Sequence, residues 1–428
     1  MEYKIFGCKV NKYYTDEWLN SDYLSDKNGL FIASCVVTDN AKRKWIKFVK
    51  DSAKNLWENQ KIFISWCGAF KRWDAQDDFF EIYPDLEYLQ WQIEILDEKP
   101  QELKKEINNS QEERTKKLSD IKNKLSKIPQ IYTKKFLLVQ WGCDSFCTFC
   151  LTVQKRWKHY FRDKDDIVEE ILEFEAAGWK EVVLTGVNLS AWGLEHTNDI
   201  WNSRFAELLE YILEKTDIPR LRISSMWPEF IDDRCLEVFK NTRIYPHFHY
   251  SVQSGSSKIL KSMHRHYDGD YMRKLLENTK NIKREDWVEV SIWADLIVGF
   301  PWETQEDFMD TYNLVKDGLI TKIHAFPFSA HNMWESVPAG KFPTQVDEKV
   351  KKERMWELSS IWDQIREDFI DRNIGKTFEV LIEVVKIDDK WNTKWKGWTQ
   401  NYIEADEKTF EITSGKIQRN QIVTWILK

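Results

Sequence analysis

Apolar and polar positions change their period three times along the 428-residue chain. Over the first ninety residues, short apolar runs at 3–6, 30–33 and 61–65 each stop abruptly, and helical spacing fills the stretches between them. That order predicts βαβαβ and so a parallel sheet. Residues 97–135 turn charged, with Lys104, Lys105, Lys116, Lys117, Lys122, Lys124 and Lys127 among Glu and Asn and no clean apolar stripe, the pattern of a linker or solvated helix. From 136 onward, strand-like runs at 136–140, 181–185, 220–225, 247–252, 288–298 and 322–328 alternate with helical ones that include 165–177, 204–215 and 304–316. Six βα units predict an open parallel barrel rather than a flat sheet. After a long charged helix over 345–373, runs at 378–387, 399–405 and 421–427 predict a compact antiparallel barrel. The expected class is α/β, divided at 1–97, 98–132, 133–370 and 371–428.

Cysteine placement adds chemistry to this frame. Cys143, Cys147 and Cys150 stand at C-x3-C-x2-C in the loop after the first barrel strand, on the edge where parallel barrels build their sites. Three thiolates so close together can hold three corners of a 4Fe-4S cube and leave the fourth iron open. An open iron can chelate the amino and carboxylate groups of S-adenosylmethionine, so that an electron from the cluster cleaves the sulfonium to a 5′-deoxyadenosyl radical. Phe149, between the last two cysteines, suits this motif. Structural zinc wants four ligands, and no fourth cysteine or histidine lies in the loop. Cys8, Cys35 and Cys67 follow the three N-terminal strands at their carboxyl ends, where such sheets place ligands, so a second set of three thiolates converges. The competing reading is three unrelated core cysteines. Cys235 remains as a plain core residue.

Composition narrows the class. At 42% hydrophobic residues the chain can bury a sizeable core, and no apolar run approaches the roughly 20 residues of a membrane span. Met1-Glu2-Tyr3-Lys4 leads straight into a strand-like run, with no signal peptide, so the expected location is the cytoplasm, where cysteines stay reduced and available to metal. A net charge of -7 argues against a broadly basic nucleic-acid coat. Local basic clusters exist at 41–50 (Lys42, Arg43, Lys44, Lys47, Lys50), at 155–164 (Lys155, Arg156, Lys158, Arg162, Lys164) and at 258–266, each read first as a solvated helix face.

Gly7-Cys8-Lys9-Val10-Asn11, Cys35-Val36-Val37-Thr38, Cys67, the Cys143/Cys147/Cys150 loop, Leu184-Thr185-Gly186-Val187-Asn188, Gln253-Ser254-Gly255-Ser256, Asp295-Leu296-Ile297-Val298-Gly299-Phe300-Pro301 and His324-Ala325-Phe326-Pro327-Phe328-Ser329 carry a further reading. Together they resemble the radical S-adenosylmethionine methylthiotransferases over essentially the whole chain. The Gly-Cys-Lys-Val-Asn, Leu-Thr-Gly-Val-Asn and His-Ala-Phe-Pro-Phe-Ser stretches are most similar to the branch that methylthiolates C2 of N6-threonylcarbamoyladenosine at position 37 of tRNA.

The resemblance implies an N-terminal domain holding an auxiliary 4Fe-4S cluster on Cys8, Cys35 and Cys67, a radical domain holding a second on Cys143, Cys147 and Cys150, and a C-terminal TRAM barrel that grips RNA. One cluster makes the radical; the other carries the sulfur that a second S-adenosylmethionine methylates. Gly186, Asn188, Gln253 and the backbone around Ile297 would hold the cofactor, ordinary strand-end structure being their alternative. Implied partners are the tRNA anticodon stem-loop, its base unstacked to enter, and an unidentified electron-donor protein, with no membrane. Within the class the alternatives are isopentenyladenosine-37 or a ribosomal-protein aspartate as substrate. From another class comes a non-catalytic Fe-S RNA-binding protein. Ala33-Ser34-Cys35 departs from the family's Asn-Thr-Cys and puts a supporting hydrogen bond in question, not the ligand.

Tryptophan disturbs the pattern. The chain has 22 Trp and 15 Gly, where average usage of about 7% glycine gives near thirty for this length. Trp66, Trp157, Trp293 and Trp302 stand where the family has glycine. Glycine serves such places because the chain takes φ > 0 there or a backbone must approach a ligand, which an indole does not allow cheaply. The expectation is that many of these tryptophans are UGA codons that the source organism reads as glycine.

Overall fold

The computed structural model describes residues 1–7, 9–57, 59–70, 78–96, 132–156, 158–197, 199–331, 335–388 and 393–428. The charged stretch read as a linker lies almost wholly outside them, as do Cys8 and Trp157.

Four parallel strands open the chain: β1 (Glu2–Ile5), β2 (Gly29–Ser34), β3 (Lys61–Trp66) and β4 (Ile93–Leu96), in that spatial order. The fourth was not expected, because four residues are too short to show a period. Helix α1 (Lys9–Leu19) joins β1 to β2, and α2 (Asp39–Ala53) joins β2 to β3. The Thr38 hydroxyl caps α2 by accepting from Ala41 N at 3.1 Å. Its apolar face buries Trp45, Ile46 and Val49 against β2 and β3.

The central unit carries β5 (Lys135–Trp141), β6 (Tyr160–Phe161), α3 (Lys164–Ala176), β7 (Glu181–Gly186), α4 (Phe205–Lys215), β8 (Arg220–Ile223), β9 (Ser225–Met226), β10 (His247–Gln253), α5 (Gly269–Lys280), β11 (Ser291–Val298), α6 (Gln305–Lys316) and β12 (Lys322–Pro327). Two sheets, β6-β5-β7-β8 and β12-β11-β10-β9, make up the barrel wall. All neighbours are parallel except the short β6. The stretch expected as one strand at 220–225 is two, broken at Ser224: β8 pairs with β7, where the Ser224 amide still donates to Leu184 O, and β9 pairs with β10. Cys235 is fully buried in the core that these strands share with the helices.

Helix α7 (Glu348–Asp371) leads to β13 (Thr377–Ile387), β14 (Thr393–Trp398), β15 (Glu404–Asp406), β16 (Phe410–Ile412) and β17 (Ile422–Leu427), an antiparallel, nearly closed sheet ordered β15-β14-β13-β17-β16. Of the strand expected at 399–405, residues 399–403 form the turn between β14 and β15, and Glu404 and Ala405 begin β15. Thr399 Oγ1 accepts from Ile403 N at 2.8 Å and Tyr402 takes φ +67°. This sheet covers the amino-terminal mouth of the barrel. Arg220 and Arg222 grip the Glu181 carboxylate at 2.9 Å each, and their other N–H groups donate to the carbonyls of Trp398, Thr399 and Gln400. Burial alone would raise the Glu181 carboxyl, but the Arg222, Lys134 and Arg220 charges hold it well below the usual carboxylate range.

Candidate active site

The cysteine loop is built by its neighbours. Gly142 sits at φ +73°, and a Cβ there would meet Lys158 O at 2.1 Å, so only glycine makes the turn out of β5. Cys143 N donates to Arg156 O at 3.3 Å, Cys150 N to Cys147 O at 3.0 Å and Thr148 N to Met263 O at 3.2 Å. Asp144 accepts from Thr197 N at 3.0 Å and pins the loop to the segment after β7. Cys143 and Cys147 are buried and Cys150 half-buried. Burial, then the neighbouring Cys147, pushes the Cys143 thiol up to about 12. Burial pushes Cys147 up to about 11, against the pull of Arg265, whose guanidinium lies 3.6 Å from its Sγ. A metal centre that takes these sulfurs as thiolates releases the protons that burial retains.

Among the described residues, only His249, Asp295 and His324 bring three ligand atoms within 4.8 Å of one another.

Gln140 was not picked out by its residue type, yet it organises this edge. Its Nε2 donates to Gly142 O at 2.6 Å and to His159 Nδ1 at 2.9 Å, while its Oε1 accepts from Asn188 N at 2.7 Å. His159 Nε2 lies 2.8 Å from Leu194 O, which fixes the proton on Nε2 and leaves Nδ1 to accept. One side chain thus sets the cysteine loop against the turn of Gly186 and Asn188. A Cβ at Gly186 would meet Gln140 Oε1 at 2.9 Å. Among the described residues, both polar side-chain atoms of the buried Asn188 lack a hydrogen-bond partner, as does the Thr185 hydroxyl. Orphaned groups beside three thiols fit a polar cofactor such as S-adenosylmethionine. Gln253 closes β10 at φ +66°, and Ile297 lies half-buried near the carboxyl end of β11.

Two cysteines of the second set, Cys35 and Cys67, lie at the carboxyl ends of their strands. Cys35 follows β2 and Cys67 follows β3, both buried. Arg156, whose carbonyl holds Cys143 N, donates through Nε to Cys67 Sγ at 2.9 Å. Trp66, Cys67 and Tyr14 share one apolar cluster with Leu138, Trp141 and Phe300 of the barrel. Ser34 keeps a working hydroxyl at the position of the family's Thr: it donates to Ser65 O at 2.6 Å and accepts from Gly68 N at 3.0 Å.

Several members of the basic clusters prove structural rather than solvated. Lys42 and Lys155 are buried against Glu335 at 3.1 and 2.6 Å, and despite burial they hold its carboxyl below the usual value.

Residues 137–315 match the Radical SAM superfamily. The threonylcarbamoyladenosine tRNA methylthiotransferase of Bacillus subtilis is 27% identical over 97% of this chain and 92% of its own. The tRNA-2-methylthio-N(6)-dimethylallyladenosine synthase of the same organism is 30% identical over 89% of this chain and 75% of its own. The chain belongs to the radical S-adenosylmethionine methylthiotransferase family. Membership in this methylthiotransferase family brings with it one 4Fe-4S cluster and S-adenosylmethionine. Among solved structures, a radical S-adenosylmethionine methyltransferase from Kitasatospora setae aligns at TM-score 0.43 and 10% identity, over 74% of this chain and 67% of its own.

The tryptophan positions divide. Trp66 sits at φ +85° and Trp302 at φ +68°, in the region that favours glycine. Trp287, which the sequence comparison did not single out, sits at φ +57° and is 88% exposed. Trp302 stacks on Phe342. Trp293 keeps a strand conformation and instead crowds the barrel interior, where His247, Tyr402 and His324 ring it at 4.4, 4.9 and 5.3 Å.

Proposed function

We propose that this enzyme inserts a methylthio group at C2 of N6-threonylcarbamoyladenosine at position 37 of tRNA. The observation that carries the reading is Arg156, which ties Cys143 by its carbonyl and Cys67 by its guanidinium, so that the two cysteine sets work on one substrate space. Cys143, Cys147 and Cys150 would hold a 4Fe-4S centre that, with S-adenosylmethionine, would supply the radical chemistry, and Cys8, Cys35 and Cys67 would hold a second that would supply sulfur. Asn188 and Thr185 offer free hydrogen-bonding groups to the cofactor, with Gly186, Gln253 and the Ile297 backbone around it. Gln140 and Arg265 position the cysteine loop. The relative named for threonylcarbamoyladenosine, aligned over nearly the whole of both chains, supports the substrate.

The 30% identical relative is named for dimethylallyladenosine, and this supports a second reading with that base as substrate. Nucleoside mass spectrometry of tRNA from cells with and without the gene separates them. Loss of the 2-methylthio form of threonylcarbamoyladenosine is expected, and loss of the dimethylallyl counterpart instead would establish the second reading.

The C-terminal sheet is proposed to grip the RNA, with the anticodon stem-loop presented to the barrel and an electron-donor protein outside it. Deleting residues 378–428 should weaken tRNA binding and flatten its salt dependence, because each phosphate contact releases counterions. Unchanged affinity in a filter-binding titration would assign the sheet another role. No described helix is long and apolar enough to cross a membrane.

A further inference from the structure

The guanidinium of Arg265 reaches a sulfur of the cysteine loop from a distant segment. The helical turn Ser257–Ser262 closes at His264, which takes φ +64°, and Arg265 N folds back to donate to Leu260 O at 3.0 Å. The same segment grips the loop twice: Ser262 O accepts from the Thr148 hydroxyl at 2.9 Å and Met263 O from Thr148 N at 3.2 Å. The Arg265 side chain is 1% exposed, and each of its three nitrogens is engaged. Nη1 lies 3.6 Å from Cys147 Sγ, Nη2 donates to Ser251 O on β10 at 3.2 Å and Nε donates to the Tyr267 hydroxyl at 3.1 Å. The positive charge is therefore fixed at the sulfur.

Glu229, in the turn Pro228–Phe230 after β9, supplies a counter-charge. Its side chain is 2% exposed, its Oε2 lies 3.7 Å from Arg265 Nη2, and neither oxygen has a hydrogen-bond partner among the described residues. A carboxylate buried without hydrogen bonds is costly, so its place beside Arg265 is not explained by stability.

We infer that Arg265 and Glu229 together set the reduction potential of the 4Fe-4S centre on Cys143, Cys147 and Cys150, the guanidinium easing reduction through Cys147 Sγ and the carboxylate limiting that effect. This rests on the assignment of such a centre to the loop. Cluster potentials follow net charge, hydrogen bonds to the sulfurs and solvent exposure. One electron accepted from a donor protein adds one negative charge, which a fixed N–H and a positive charge at a ligand sulfur stabilise where water is excluded. A potential raised too far would hold the electron too tightly to pass it to the sulfonium of S-adenosylmethionine. The negative charge of Glu229, 3.7 Å from the guanidinium, offsets part of the field and limits the rise.

The test is a redox titration followed by electron paramagnetic resonance on the reconstituted full chain with alanine at Cys8, Cys35 and Cys67, so that a single centre is read. Arg265→Gln should lower the ratio of reduced to oxidised centre at a fixed poise about tenfold, a negative shift of about 59 mV for a one-electron couple. Glu229→Gln, which keeps size and shape, should shift the potential in the positive direction. Arg265→Lys keeps the charge but loses the fork and should fall between Arg265→Gln and the unsubstituted arginine. A purely structural arginine would change iron content or stability and leave the potential of the assembled centre in place. Unchanged potentials, or shifts of the same sign for Arg265→Gln and Glu229→Gln, overturn the inference while leaving the iron–sulfur assignment intact. If Arg265→Gln assembles no centre, opposite shifts in Arg265→Lys and Glu229→Gln support the inference and any other pattern overturns it. A loop with Arg265 and Glu229 in place that takes up no 4Fe-4S centre overturns the assignment and this inference with it.

Discussion

Replacing Cys143, Cys147 and Cys150 together by alanine is expected to reduce S-adenosylmethionine cleavage to background and to halve the metal content of the reconstituted chain. With two cubanes the unsubstituted protein should carry about eight iron and eight sulfide, and the variant about four of each. The converse triple, alanine at Cys8, Cys35 and Cys67, should show the same metal loss yet retain cleavage and lose sulfur insertion. The difference follows from position. The first set lies in the loop that Gln140 holds against Gly186 and Asn188, where the orphaned polar groups are. Cys67 of the other set is joined to that loop through Arg156. Cleavage assayed by 5′-deoxyadenosine release, beside iron and sulfide determination, checks both triples. Equal loss of cleavage in the two would end the division of labour.

Protein from the native host should yield peptides with glycine at 66, 157, 293 and 302, and by the backbone reading at 287 as well. Three tryptophans fall in the left-handed region, and a bulky residue there costs about 1–3 kcal/mol. The packing term decides where a glycine helps. Trp287 is 88% exposed and loses almost nothing on truncation, so Trp287→Gly alone should stabilise the chain by about 1 kcal/mol in urea titration. Trp66 is 2% exposed and packs on Tyr14, Phe70 and Trp141, with the Arg156 guanidinium over its ring. Emptying a buried tryptophan site costs about 3–5 kcal/mol, more than the strain relieved. Its indole N–H is buried without an acceptor, the mark of a side chain in a space suited to something else. Trp66→Gly alone should therefore destabilise the metal-free chain, and reconstitution with iron and sulfide should recover stability. Tryptophan at all five positions in native peptides would end the recoding hypothesis and favour a non-catalytic chain.

Though it missed β4, β6, β14 and β16, the sequence by itself determined the alternation of the longer strands and helices, the parallel sheets, the cysteine loop and the family. Each of these is written locally, in a period of two or 3.6 residues or in ligands a few positions apart. It misread 399–403 as strand, because alternation there reflects a turn closed by Thr399 and Tyr402 rather than a ladder, which begins only at Glu404. Only the tertiary structure decided which charges are buried. Nothing in the local spacing marks Glu181, Arg220 and Arg222 as a network sealed by the C-terminal sheet, or Lys42 and Lys155 as partners of Glu335. A charge leaves water only when partners from distant segments meet it, and those meetings are set by the packing of sheets. For the same reason the roles of Gln140 and Arg156 emerged only from the fold, since each joins segments far apart in the chain.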